Sequence, residues 1–449
     1  MTRSDGVPAE YRLAEETRDI SGRRMLILAG SAFGVLAAEP LYLLVDTAVV
    51  GHLGTDPLAA LGIGAALLSL VALVGTFLEY GTTARAARWF GAGRADDAAI
   101  EGVQATWLAV WIGLVAVAAG QIVAHPLTRA LAGGPGVIAG EAELWFRVAV
   151  CGVPGVLIVL AGNGWLRGVQ ETRAPVRIVL VANGLSAAAS PVLVYPLGLG
   201  LVGSAYANVG AQAVASVLFI RALVRAGVPL VPRGTVLRAQ LTMGRDLFLR
   251  SAAFQAAFLT SAAVAARMGA AQLGAHQIAL QLWEFSALLL DSFAIAAQAL
   301  VGAALGGGDV RAARRVAWRV ARYGLWAGIV FGVLIAAAGF VLPPAFTSSG
   351  EVVHQAHVLW PWFAAMQPAA GVVFALDGVL IGAGDAAFLR TLTLVSSLAV
   401  FVPIDLAALH WDWGIGGVWA GLTAFVIVRL AGTLGRTMGH SWAVPGDQR

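Results

Sequence analysis

The chain is 449 residues long, 59% hydrophobic and only 12% charged, with a mean hydropathy of +0.80, far from the balance of a soluble globular protein. Its basic residues are all arginine, its formal net charge is +4, and its pI near 9.7 suggests nucleic acid only until the positions of the arginines are read. Apolar runs long enough to cross a bilayer recur along the whole length with short polar breaks between them, which excludes a separate soluble domain and places function within the membrane.

In chain order the apolar runs predict helices near 25–52, 58–84, 100–123, 141–165, 174–196, 201–223, 246–267, 273–304, 315–342, 355–382, 388–410 and 415–436, twelve in all. The breaks carry turn chemistry: Gly54 to Pro57, Gly133 to Gly136, Pro343-Pro344, and Trp411 to Gly414. Residues 1–24 are polar and end in Arg23-Arg24, but the apolar run that follows contains Glu39 and continues past any signal-peptide cleavage site, so it reads as a retained first transmembrane helix. The expected organisation is a cytoplasmic N-terminal segment (1–24), an N-terminal six-helix lobe (25–225), a cytoplasmic inter-lobe linker (226–245), a C-terminal six-helix lobe (246–436) and a cytoplasmic tail (437–449).

Arginine orients the bundle, because positive residues stay on the cytoplasmic side. With the N-terminus inside, the inner connections hold Arg85, Arg88 and Arg94; Arg167, Arg173 and Arg177; a run from Arg221 to Arg250; Arg311 to Arg322; and Arg390. The outer side holds only Arg129, Arg147 and Arg267. Both termini are therefore expected in the cytoplasm, in a multi-pass protein of the cell (plasma or inner) membrane whose pI needs no nucleic-acid partner. The lone Cys151 sits in an apolar segment and is read as core packing.

An internal repeat is visible when the chain is slid along itself. One offset brings Gly54 onto Gly269, Leu58 onto Leu273, Gly91 onto Gly306 and Gly93 onto Gly308; the offset one step shorter brings Pro154 onto Pro368, Gly164 onto Gly378, Gly168 onto Gly382 and Gly200 onto Gly414. Six helices per half is an even number, so the halves share an orientation and are related by an axis along the membrane normal. The fold class expected is an all-α polytopic membrane protein, its twelve transmembrane helices arranged as two parallel-repeat six-helix lobes around a central cavity.

The stretch E-P-L-Y-L-L-V-D-T-A-V-V-G-H-L-G at 39–54 places Asp46 deep in the first membrane helix, where a charged residue costs roughly 2.5–3.5 kcal/mol on insertion scales and marks an ion or substrate pathway by default. Glu39 lies seven residues earlier, two helical turns, on the same side, with Pro40 between them. Asp291 and Glu284 repeat the seven-residue spacing in the eighth helix.

Together with L-G-A-H-Q-I-A at 273–279, A-Q-A-L-V-G-A at 297–303 and L-D-G-V-L-I-G-A-G-D at 376–385, this stretch resembles the multidrug and toxic compound extrusion (MATE) family, in its DNA-damage-inducible F-like branch, over essentially the whole chain. The resemblance implies antiport: an organic compound leaves as protons or sodium ions enter, with two lobes rocking about a central cavity. It also implies that Asp46 matches the first-helix acid that proton-coupled members use, and that Asp377 matches the tenth-helix acid of sodium-coupled and plant members. Two positions depart from the family pattern. Ser186 and Ser190 stand where many members carry an Asn and an Asp, and Gln255 stands where sodium-coupled members carry a Glu. Asp46 is thereby left as the chief titratable group of the N-terminal lobe.

The other reading of Asp46 is a buried acid bonded to neighbouring helices, and of Glu39 a substrate contact or helix-entry residue. Asp377 and Asp291 are either cavity groups or structural hydrogen-bonders; Asn163 and Asn183 either contact substrate or bridge helices. No nucleotide loop, catalytic triad or metal cluster is evident, so no enzyme activity, cofactor or metal is expected. The expected function is proton-coupled export of organic, cationic or lipophilic compounds by a monomer in the lipid bilayer, with Asp46 and Glu39 coupling protons and Pro40 as the bend. Two alternatives remain: a sodium-coupled exporter of the same fold, and a lipid-linked precursor flippase, which would line its cavity with several cationic residues.

Overall fold

In the computed structural model the described residues are 22–446, without the side chains of residues 70–74 and 76; residues 1–21 of the expected N-terminal segment and 447–449 of the tail lie outside them. The helices are α1 (Gly22–Gly51), α2 (Thr55–Gly91), α3 (Ala95–Leu131), α4 (Val137–Cys151), α5 (Val153–Gly168), α6 (Arg173–Val194), α7 (Gly200–Arg225), α8 (Gly234–Met268), α9 (Ala270–Gly306), α10 (Val310–Ala338), the short α11 (Leu342–Phe346), α12 (Gly350–Gly382), α13 (Ala386–Val395), a π-helical turn (Ser396–Phe401), α14 (Val402–His410) and α15 (Gly414–Met438). Among the described residues ten spans are each long and apolar enough to cross a membrane, α13 to α14 counting as one, and α4 with α5, bent by 45° at Gly152, makes an eleventh. The remaining expected helix is α2, whose apolar run in the sequence continues to Leu78 and is followed by Glu79, Arg85 and Arg88.

The chain divides into two compact units: Ser31–Phe90 with Arg94–Gly244, and Arg245–Arg449 with Gly91–Gly93 and the described residues up to Gly30. Each has its own core, around Trp165, Phe219 and Leu223 in the first and around Trp283, Phe363, Trp419 and Phe425 in the second. The connection expected over 226–245 is largely the start of α8, strapped onto α3. Gln104 Nε2 donates to the Val231 carbonyl at 3.0 Å, Trp107 Nε1 to that of Leu230 at 2.7 Å, and Gln240 Nε2 to Glu101 Oε2 at 2.7 Å. Cys151, expected in the core, is exposed at the end of α4.

The sequence repeat is a repeat of backbone geometry. Gly54 and its counterpart Gly269 have φ of +134° and +145°, and Gly93 and Gly308 have +76° and +78°. The non-glycine residues at positive φ obey the same register: Gln170 (+58°) corresponds to Gly384 (+73°), and Asp412 (+54°) to Gly198 (+65°), so in each pair one half uses the residue best suited to that region and the other half accepts the strain.

Packing repeats as well. A Cβ at Gly164 on α5 would collide with the Glu79 carbonyl of α2, and a Cβ at Gly378 on α12 would collide with the Ala294 carbonyl of α9. Apolar burial gives little drive between helices in lipid, so close backbone approach through such glycines is what holds them together. Gly378→Val is therefore expected to part α9 from α12 at a cost of about 1–3 kcal/mol or more, read as a lower unfolding temperature of the detergent-purified protein.

Candidate functional site

The first unit holds a cavity of about 310 Å³. It is walled by α1 (Glu39, Tyr42, Asp46), α2 (Leu61, Ala65, Glu79), α5 (Asn163), α6 (Asn183) and α7 (Asn208, Gln212). The spacing of 39, 42 and 46 puts these three side chains on one face of α1, which is why a single helix supplies so much of the polar wall. Pro40 sits within α1 without interrupting it. Lacking an N–H, it offers nothing to the carbonyl of Leu36, itself a lining residue, so the backbone ladder is weakened at the cavity.

Asp46 is buried, 3% exposed, and Oδ1 accepts a hydrogen bond from Ser190 Oγ at 2.8 Å. Ser204 stands beside the same carboxyl, held there by Trp145 Nε1 at 2.9 Å. Tyr195 Oη donates to the Val49 carbonyl at 2.6 Å and fixes the end of α6 to α1. Among the described residues no arginine pairs with Asp46 or with Glu39, which is exposed at the cavity wall. Glu79, the third acid of the wall, is different: it forms a buried ion pair with Arg167.

The second unit presents the opposite arrangement. Asp377 on α12 accepts from Arg250 Nη2 of α8 at 2.6 Å and is ion-paired with Arg429 of α15, and both guanidinium groups lie over the Phe254 ring, at 5.3 and 4.6 Å from its centre. Asp377 is thus a neutralised, 4% exposed member of a cluster and is not part of the cavity wall in the first unit.

Of the residues singled out from sequence, the structure brings Glu39, Asp46, Asn163 and Asn183 together on one cavity, with Ser190 bonded to Asp46 and Ser186 buried beside Tyr42. Gln255 and Glu284 are exposed on α8 and α9 and Asp291 is half-buried on α9, none of them on this cavity. Sequence reasoning missed Tyr42, Glu79, Asn208 and Gln212. It also placed Arg167 and Arg250 in cytoplasmic connections, whereas both are paired inside helices, Arg167 only 6% exposed. A signal existed for the arginines: each falls at the end of an apolar run in the half that holds a mid-helix acid.

The MatE family profile matches residues 32–192 and again 247–406. The second match begins at the offset that carries Gly54 onto Gly269 and ends at the one that carries Pro154 onto Pro368, in the register of the repeat. The chain belongs to the MatE family. It is a multi-pass membrane protein of a multidrug efflux transporter family. It is 30% identical over 427 residues to Protein DETOXIFICATION 44, chloroplastic, of Arabidopsis thaliana (91% of this chain, 81% of that protein). It is 31% identical over 405 residues to DNA damage-inducible protein F of Escherichia coli strain K12 (87% and 86%). In fold this MatE chain is similar, at 21% identity and a TM-score of 0.86, to a crystal structure of MATE in the bent conformation, over 95% of this chain and 97% of that one. At 20% identity and a TM-score of 0.84 it is similar to the outward-facing conformation of a multidrug resistance MATE family transporter, over 97% and 98%.

Proposed function

We propose that this chain is a proton-coupled antiporter of organic, cationic or lipophilic compounds, working by alternating access as a monomer in the cell membrane with both termini cytoplasmic, and that Asp46 is its coupling group with Glu39 as partner. One observation carries the reading: Asp46 is a buried carboxyl opening on a cavity, and its hydrogen-bond partner is an uncharged hydroxyl. A carboxylate tied to arginine must break an ion pair to take up a proton; Asp46 need not, whereas Glu79 and Asp377 must. The apolar walls with a few asparagine and glutamine amides suit a lipophilic compound with a polar or cationic head.

Sodium coupling would call for a second carboxylate beside Asp377, and its neighbours are Arg250 and Arg429. A pyrophosphate-binding flippase would call for cationic cavity walls, and no arginine is among the described lining residues. Proton coupling is tested in vesicles holding the purified protein. An imposed pH gradient at fixed sodium is expected to drive accumulation of a lipophilic organic cation, and choline in place of sodium is expected to leave the rate unchanged. Transport that follows the sodium gradient and ignores pH would contradict the reading. Each pH unit supplies about 1.4 kcal/mol per proton, so exchange of one proton for one monovalent cation sustains a ratio of about tenfold per pH unit.

A further inference from the structure

The second unit contains an acid that the preceding account does not use. Asp405 on α14 is fully buried, and neither of its carboxyl oxygens makes a hydrogen bond among the described residues. Ser261 of α8 stands beside it with a buried hydroxyl that is likewise unbonded. From α15 the facing residue is Gly421, at which a Cβ would come within 3.0 Å of Asp405 Oδ1, so the helix is narrowed where the carboxyl sits. The π-helical turn Ser396–Phe401 immediately precedes α14, and the Ser397 hydroxyl within it is also buried without a partner. Such turns inside membrane-length helices recur at functional sites.

The repeat gives this pair its meaning. The offset that carries Gly54 onto Gly269 carries Asp46 onto Ser261, and in the register one step shorter that holds from Pro154 to Gly200 Ser190 falls on Ile404, next to Asp405 and just past the π-helical turn. The acid–hydroxyl pair of the first unit is therefore present in the second with the two roles exchanged: acid on the first helix and serine on the fifth in one, serine on the first helix and acid on the fifth in the other. We propose that Asp405, with Ser261 as its hydrogen-bond partner, is a second proton-binding site, built by the same two helices of the repeat as the Asp46–Ser190 pair.

The charged groups on the surrounding elements are all directed elsewhere. Arg250 of α8 and Arg429 of α15 are bound to Asp377, Asp246 of α8 pairs with Arg245 and Arg390, Arg436 of α15 pairs with Asp385, and Arg238 and Arg267 of α8 and His410 at the end of α14 are exposed. An ionised carboxylate enclosed with no cation and a single hydroxyl beside it is costly, while the neutral acid can exchange a hydrogen bond with Ser261 Oγ without a buried charge. The event is simple protonation: the carboxylate takes a proton delivered by water and later returns it to water.

This inference rests on the proton-coupled reading above, and its test separates the two. Infrared difference spectra of the detergent-purified full chain, acid minus alkaline pH, read protonated-carboxyl C=O bands without requiring transport. A band missing from the folded Asp405→Asn protein and shifted in Ser261→Ala, beside a second band missing only from Asp46→Asn, is the expected result. Both bands unchanged in Asp405→Asn would overturn the second site and leave Asp46 standing. An Asp46→Asn spectrum identical to wild type, with the Asp405 band still lost in Asp405→Asn, would sink the coupling reading and leave this site standing. Should Asp405→Asn fail to fold, Ser261→Ala decides: a shifted band supports the site, an unshifted spectrum refutes it. Loss of the Asp405 band on adding sodium at fixed pH would overturn the assignment to a proton.

Discussion

Asp46→Asn is expected to insert and fold like the wild-type chain and to lose gradient-driven export, its transport falling to the level of protein-free vesicles. The substitution keeps the shape of the side chain and its capacity to accept from Ser190 Oγ, so the 2.8 Å bond and the packing of α1 against α6 survive. Insertion becomes easier, because an ionisable group has left the bilayer interior. What disappears is the buried one of the two cavity carboxyls, Asp46 and Glu39, that can trade a proton for substrate without breaking an ion pair. Equal amounts of folded protein, checked by size exclusion and thermal unfolding, with transport intact, would move the coupling site elsewhere.

Asp377→Asn is expected to do the reverse: it damages the fold first and transport only as a consequence. Removing the carboxylate leaves Arg250 and Arg429 buried side by side over Phe254, and breaking a buried charge cluster by deleting one partner costs about 3–5 kcal/mol. The purified variant should unfold at a clearly lower temperature than either wild type or Asp46→Asn. Replacing the whole cluster with apolar residues of similar size, Asp377→Leu with Arg250→Met and Arg429→Met, should recover part of the loss. Full stability of Asp377→Asn would show that the two arginines find other partners. The family resemblance alone implied a coupling role for Asp377; the structure places two guanidinium groups where such a role needs a free carboxylate.

Much of this architecture is legible in the sequence for a physical reason: in lipid every backbone polar group must be satisfied within its own segment, so helices and their breaks follow directly from apolar runs and from Gly and Pro. The expected helix 174–196 is α6 at Arg173–Val194, and 415–436 is α15 at Gly414–Met438. The face of α1 that carries Glu39 and Asp46 was equally readable, because helical periodicity decides it. Pairing was not. Whether a mid-helix acid is free or neutralised depends on residues far away in sequence, such as Arg429, 52 positions beyond Asp377. The positive-inside rule moreover assigns arginines to loops and so concealed Arg167 and Arg250. Asp405 was within reach of the repeat, since the counterpart of Ser190 falls next to it, but a register built from glycines and prolines draws attention to turns and not to side chains that exchange roles.

The central claim, that substrate and proton compete through Asp46, is tested most directly by measuring protons released when a lipophilic organic cation is added to the detergent-purified protein in weakly buffered solution near neutral pH. The wild-type chain is expected to release protons in proportion to substrate bound. Asp46→Asn is expected to bind the same compound and to release fewer, the difference being the proton that Asp46 gives up. Binding to the wild type without any proton release, or equal release from Asp46→Asn, would contradict the account.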